Sequence, residues 1–140
     1  MKLAIDTAAT LQMGDPTMDR THGEFVDLLN RLNSADKSTF MALFAELLEH
    51  TENHFAAENS RMQESGFPAI REHRDEHQRV LGEMTHFAHK VATGSWQLGR
   101  AYVRDSLPAW FRLHLLTMDS ALAAHLRNCQ ANPPGQETPP

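Results

Sequence analysis

Five histidines and two carboxylates stand in this chain at spacings that a helix turns into clusters. They are His22; His54 and Glu58 in HTENHFAAE; His73 and His77 in HRDEH; and His114 and Asp119 in HLLTMD. Neutral imidazole and ionised carboxylate are the natural ligands of divalent first-row metals. Five of one and two of the other suit two adjacent ions, with the carboxylates free to bridge them. Helical residues turn by about 100° each, so positions four apart differ by about 40° and lie one turn apart. His54 and Glu58 therefore project from one stripe, and His73 and His77 from another. His114 and Asp119 are five apart; in a regular helix that is about 140°, which sends them to different stripes to flank the ions from either side. Seven ligands with two bridges leave at least one coordination position open, and an open position is where a small molecule binds.

For any one pair, a solvated face or a hydrogen-bonded core histidine is the commoner explanation. Agreement across four segments is what favours metal. Glu58 and Asp119 fall on or near apolar stripes, where an unpaired carboxylate is costly. The single cysteine, Cys129, argues against a thiolate-rich structural zinc site.

These residues need elements to carry them. About fifteen residues without a sustained period read as an N-terminal arm. Asp15-Pro16 then starts a helix, with Asp15 as cap and Pro16 at the first helical position. Met18, His22, Phe25, Val26, Leu29 and Leu32 form its inner face. NSADKS interrupts the pattern. A second helix from near Ser38 carries Phe40, Phe44, Leu47, His54, Phe55, Glu58 and Met62, and Gly66 with Pro68 stops it. A third runs from about Pro68 to Ala92, with Ile70, His73, His77, Val80 and Met84 inward. The fourth segment spans Trp96 to about Asn128. Pro108 disfavours helix at Leu107 and predicts a kink or restart there. The last ten residues, ANPPGQETPP, read as a disordered tail. The expectation is all-α: one domain over residues 1–130, folded as an antiparallel up-down-up-down four-helix bundle, with the tail at 131–140.

Composition excludes other classes. With 41% hydrophobic and 22% charged residues, the chain is too apolar for disorder. A formal charge of -5 and scattered Lys and Arg exclude a nucleic-acid footprint. No apolar run reaches membrane-spanning length. The start, MKLAIDTAATLQ, has too short an apolar patch before Asp6 for a signal-peptide core, so a cytoplasmic location is expected.

The motifs MDRTH, HFAAE, HRDEH and WFRLHLLTMD, in that order between Met18 and Leu122, resemble those of the hemerythrin family, specifically its bacterial single-domain members. The resemblance implies a non-haem di-iron centre with an oxo or hydroxo bridge and O2 as reversible ligand. His73, His77 and His114 would serve one iron, His22 and His54 the other, and Glu58 and Asp119 would bridge. It implies O2 carriage, storage or delivery rather than enzymatic turnover. Alternatives are a di-iron enzyme reducing peroxide or nitric oxide or acting as an oxidase, and an O2 or redox sensor acting through a separate partner. A redox or oxygen-accepting protein partner is left open, and a monomer is expected. The family's usual second acid after HFxxE is Asn59 here, expected to sit off the ligand stripe with little consequence for metal. Phe25, Phe55, Trp110, Phe111 and Leu116 are expected in the core, some of them walling the open position, with His50 one turn before His54 also lining it. His86, His89 and His125 are expected to face solvent.

Overall fold

A computed structural model describes residues 12–131; residues 1–11 and 132–140, most of the expected arm and tail, lie outside the described residues. The chain runs through α1 (Pro16–Ser34), α2 (Lys37–Ser65) and α3 (Ile70–Ala92). It continues through α4 (Trp96–Ala101), a π segment (Tyr102–Ser106), α5 (Leu107–His114), a second π segment (Leu115–Asp119) and α6 (Ser120–Ala131). Ala101, Ser106, His114 and Ser120 all keep right-handed helical angles, so these last five pieces form one continuous fourth rod. Consecutive rods pack side by side, and the first π segment returns against α1. The result is the four-helix bundle, with no strand among the described residues.

Local chemistry sets the ends. The Asp15 carboxylate accepts from the Met18 N–H at 3.0 Å, and Pro16 occupies the first turn, where its missing donor costs nothing. Asp15 is also clasped by Arg61 of α2 at 3.0 and 2.6 Å, which ties the start of α1 to the second helix. Asp36 caps α2 by accepting from the Thr39 N–H at 2.9 Å, so that helix begins one residue before Ser38. Gly66, at φ 66°, ends α2 in the left-handed conformation that side chains resist. The turn through Phe67 delays α3 to Ile70, two residues after Pro68.

Pro108 does not break the fourth rod. Leu107 stays helical at φ -67°, ψ -44°, and the disruption takes the form of the widened turn upstream. The N–H that proline lacks would, in that wide turn, have met the carbonyl of Val103. Instead Asn33 of α1 donates its side-chain amide to Val103 O at 3.3 Å. A donor from a neighbouring helix thus replaces the one lost to the ring.

Two apolar clusters flank the middle of the bundle. The larger holds Phe25, Leu29, Phe40, Phe44, Phe55, Met84, Tyr102, Phe111 and Leu115. The smaller holds Met18, Met62, Phe67, Leu122, Ala123 and Leu126. Among the buried polar side chains, His22 and His77 meet rings of the larger cluster and His73 meets Phe67 of the smaller.

Candidate metal centre

All seven residues singled out by spacing converge at the junction of the two clusters. His22 comes from α1, His54 and Glu58 from α2, and His73 and His77 from α3. His114 ends α5, and Asp119 ends the second π segment. Six of them are at most 4% exposed, and the His54 side chain is 10% exposed.

Each carboxylate divides its oxygens between two groups of imidazoles. Glu58 Oε1 lies 3.2 Å from His77 Nε2 and 3.6 Å from His73 Nε2. Its Oε2 lies 3.0 Å from His54 Nε2 and 3.9 Å from His22 Nε2. Asp119 Oδ1 lies 3.1 Å from His114 Nε2 and 3.2 Å from His73 Nε2, while Oδ2 lies 3.1 Å from His22 Nε2. The donor atoms of Glu58, His73, His77 and His114 all fall within 4.8 Å of one another, as do those of His22, His54 and Glu58.

The place of Asp119 differs from the regular-helix expectation. Residues Leu115–Asp119 form a π turn, closed by the Ser120 N–H on the Leu115 carbonyl five residues back. A turn of i to i+5 bonds stacks residues five apart, so His114 and Asp119 share a face instead of straddling the site. That is why they come within 3.1 Å.

Further side chains brace the imidazoles. Phe55 lies flat on His77, with ring centres 3.9 Å apart and 6° between planes. Asn59, one turn after Phe55, places Oδ1 2.9 Å from His77 Nδ1, accepting that ring's other N–H. Asn59 was expected to matter little. It is instead the hydrogen-bond partner of a site imidazole, a position whose loss ordinarily weakens metal affinity. Its i+4 relation to Phe55 was the available signal. Trp110 stacks on His114 at 4.7 Å and donates Nε1–H to Glu76 Oε1 at 2.7 Å. Arg79 also grips Glu76, and its hydrogen bond, ahead of the opposing effect of burial and of the Trp110 contact, holds that carboxyl down at about 2. On the other side Phe111 meets His22 edge-on at 5.7 Å, with Phe25 stacked behind it at 4.6 Å.

Two other expectations change. Leu116 is 51% exposed and lines nothing in the interior; the inward residue is its neighbour Leu115, fully buried. His50 lines the same cavity as His54, one turn further out, and is turned toward Glu24, with Nε2 and Oε1 3.3 Å apart. His125 is half-buried rather than solvated, with Nε2 3.0 Å from the Ser65 carbonyl and its ring against Phe67. His86 and His89 are exposed, as their phase requires.

The electrostatics are those of a cation site. Burial and the charge of Asp119 push the Glu58 carboxyl up, but His54 and His77 more than offset them and hold it at about 2. Asp119 is likewise lifted by burial and drawn well below its ordinary value by His114, His22 and His73. Burial moves His77 downward, toward the neutral form that binds metal, against the pull of Glu58. Both oxygens of Glu58, both of Asp119, and the Nε2 atoms of His22 and His77 are buried without a hydrogen-bond partner. Unsatisfied charge at that depth costs several kcal/mol per ion. Divalent cations held between the carboxylates and imidazoles would satisfy these atoms.

The profile of the hemerythrin HHE cation binding domain matches residues 13–126. The chain belongs to the hemerythrin family. Its relatives include a bacteriohemerythrin of Ralstonia nicotianae, 35% identical over 95% of each chain. Bacteriohemerythrins of Stenotrophomonas maltophilia and Pseudomonas aeruginosa are 25% and 24% identical, over 84% of this chain and 78% of theirs. No solved structure matches the chain. Membership of the hemerythrins and the histidine–carboxylate cluster together fit a non-haem di-iron site. No helix among the described residues is long and apolar enough to cross a membrane.

Proposed function

We propose that this hemerythrin-family chain binds O2 reversibly at two irons, for carriage, storage or delivery. His73, His77 and His114 hold one iron, His22 and His54 the other, and Glu58 and Asp119 reach both. The observation that carries this reading is the division of each buried carboxylate, one oxygen to either set of imidazoles, with no other partner for any of the four oxygens. Two irons held by these residues would supply the electrons that reversible O2 binding requires.

The chain's own residues do the rest. The set with two histidines offers fewer donors, so room for a small ligand lies on the His22 and His54 side. Phe111 and Phe25 put an apolar wall beside His22, apart from the cavity that reaches His54, and an apolar wall slows proton-assisted loss of a bound gas. Asn59 fixes the orientation of His77, and Glu76 fixes Trp110 against His114. A binding role is favoured over an oxidase because the donor set is histidine-rich. Ferritin-like di-iron sites use paired Glu-x-x-His motifs. The one Glu-x-x-His pair in the sequence, Glu83 and His86, lies outside the cluster, with His86 exposed.

The test is iron content and optical absorption of protein reconstituted under reducing conditions. Two irons per chain and a charge-transfer band that appears in air and vanishes when O2 is removed are expected. One zinc per chain that iron cannot replace, or a band that never reverses, defeats the proposal.

A further inference from the structure

Between α1 and α2 the surface opens into a cavity of about 220 Å³ that reaches His54 and Glu58. His50, His54 and Glu58 follow one another at steps of four along α2, so one stripe of donors climbs from the site to the surface. The rings of His50 and His54 are 6.4 Å apart and 19° from parallel. Glu24 of α1 faces His50 across the mouth at 3.3 Å. Side-chain exposure rises steadily along this line: 3% at Glu58, 10% at His54, 20% at His50 and 55% at Glu24. At its inner end Glu58 is buried with both oxygens unpartnered. Arg61 also lines the cavity, but its charge is taken up by Asp15 at 2.6 Å.

Resting on the di-iron reading, we infer that this ladder of Glu24, His50, His54 and Glu58 is the route by which ferrous iron enters and leaves the centre. Stripping a hydrated divalent ion in one step is costly. Oxygen and imidazole donors spaced one turn apart allow its waters to be exchanged one at a time, and both donor types suit Fe²⁺. The hollow between α2 and α3 sets Arg71 and Arg74 against the single carboxylate of Asp75, a net positive lining unsuited to a cation, and includes none of the seven residues.

The experiment follows iron release from the loaded full-length protein to a ferrous chelator under reducing conditions, then reloading with Fe²⁺, with final content by elemental analysis. Ala57→Phe crowds the cavity from an exposed helical position, and Glu24→Gln removes the outermost charge. Both should slow release and reloading, Ala57→Phe roughly tenfold, while the final content stays at two irons per chain. Arg74→Gln, in the other hollow, should exchange at the wild-type rate. If Ala57→Phe and Glu24→Gln both exchange at the wild-type rate with full final content, the route is elsewhere. If wild-type protein never holds two irons, the di-iron reading fails, and this route with it.

Discussion

The two flanks of the centre are built differently. His73, His77 and His114 are buried, and two of them are held from outside: His77 between Phe55 and Asn59, His114 under Trp110, itself anchored by Glu76. Besides the two carboxylates, His22 has the edge of Phe111 and the ring of His54 beside it, and its Nδ1, like those of His73 and His114, has no hydrogen-bond partner. His54 borders the cavity toward solvent. One flank is fixed in orientation, and the other adjoins space. Binding and releasing a small ligand needs both, because a site rigid on all sides admits nothing and one loose on all sides loses its metal.

The bridges are where this contrast is most easily broken. Asp119→Asn keeps the volume and removes the charge shared by both flanks. Elemental analysis should show loss of at least one iron per chain. In metal-free protein the same change should lower the melting temperature, since it takes from His114, His73 and His22 the carboxylate they face at 3.1 to 3.2 Å. An unchanged iron content would show that Asp119 is no bridge.

Removing one histidine from each flank sharpens the comparison. His77→Ala strips a buried ring from between Phe55 and Asn59, and should cost about 2 to 4 kcal/mol of stability together with the iron on that side. His54→Ala removes a partly exposed ring and should leave one iron in place. Denaturant titration and metal content read both; equal losses from the two variants would erase the distinction between flanks. Next in size is Asn59→Leu, which leaves His77 Nδ1 unpaired and should weaken iron binding about ten- to a hundredfold in chelator competition. Asn59→Asp should keep both irons and lower their reduction potential, because an anionic acceptor favours the more highly charged metal.

The smallest effect belongs to Asp15, at the rim. The Arg61 hydrogen bond, opposed by burial, holds its carboxyl below the ordinary range. Its contribution to stability is therefore complete above the ordinary carboxylate range and lost as pH falls through the lowered value. Asp15→Ala should cost about 1 kcal/mol at neutral pH through the cap, and the deficit should shrink in acid. A deficit that persists undiminished at low pH would mean that charge is not its source.

Much of the site was legible because i, i+4 pairs need nothing beyond a regular helix. His54 with Glu58 and His73 with His77 required only that their helices form, and Asp15-Pro16 and Gly66 marked two ends by local chemistry. What could not be read depends on neighbours. The relation of His114 to Asp119 was misjudged because it rests on a wide turn, which spacing alone does not announce. The hydrogen bond of Asn59 to His77 is not visible in spacing, because it depends on which nitrogen of a ring on another helix faces it. Leu115 and Leu116 are adjacent and chemically alike, and only packing decides which goes in. Trp110 proved to lie against the three-histidine flank, a matter of how two rods meet.

The second π segment has a consequence for the fourth rod as a whole. Counted at about 100° per residue, the inward set Leu107, Phe111 and His114 and the inward set Leu122, Ala123 and Leu126 would be roughly a quarter turn out of phase in an unbroken α-helix. The wide turn at Leu115–Asp119 absorbs one residue and brings the two halves back into phase. It works as a splice: excising the outward Leu116 would shorten the loop of backbone, set His114 and the aspartate four apart, and leave both buried faces where they are. At this point the rod joins two helical registers at the aspartate, and a deletion there would be absorbed where the same deletion within a regular α-helical stretch would turn half the core toward water.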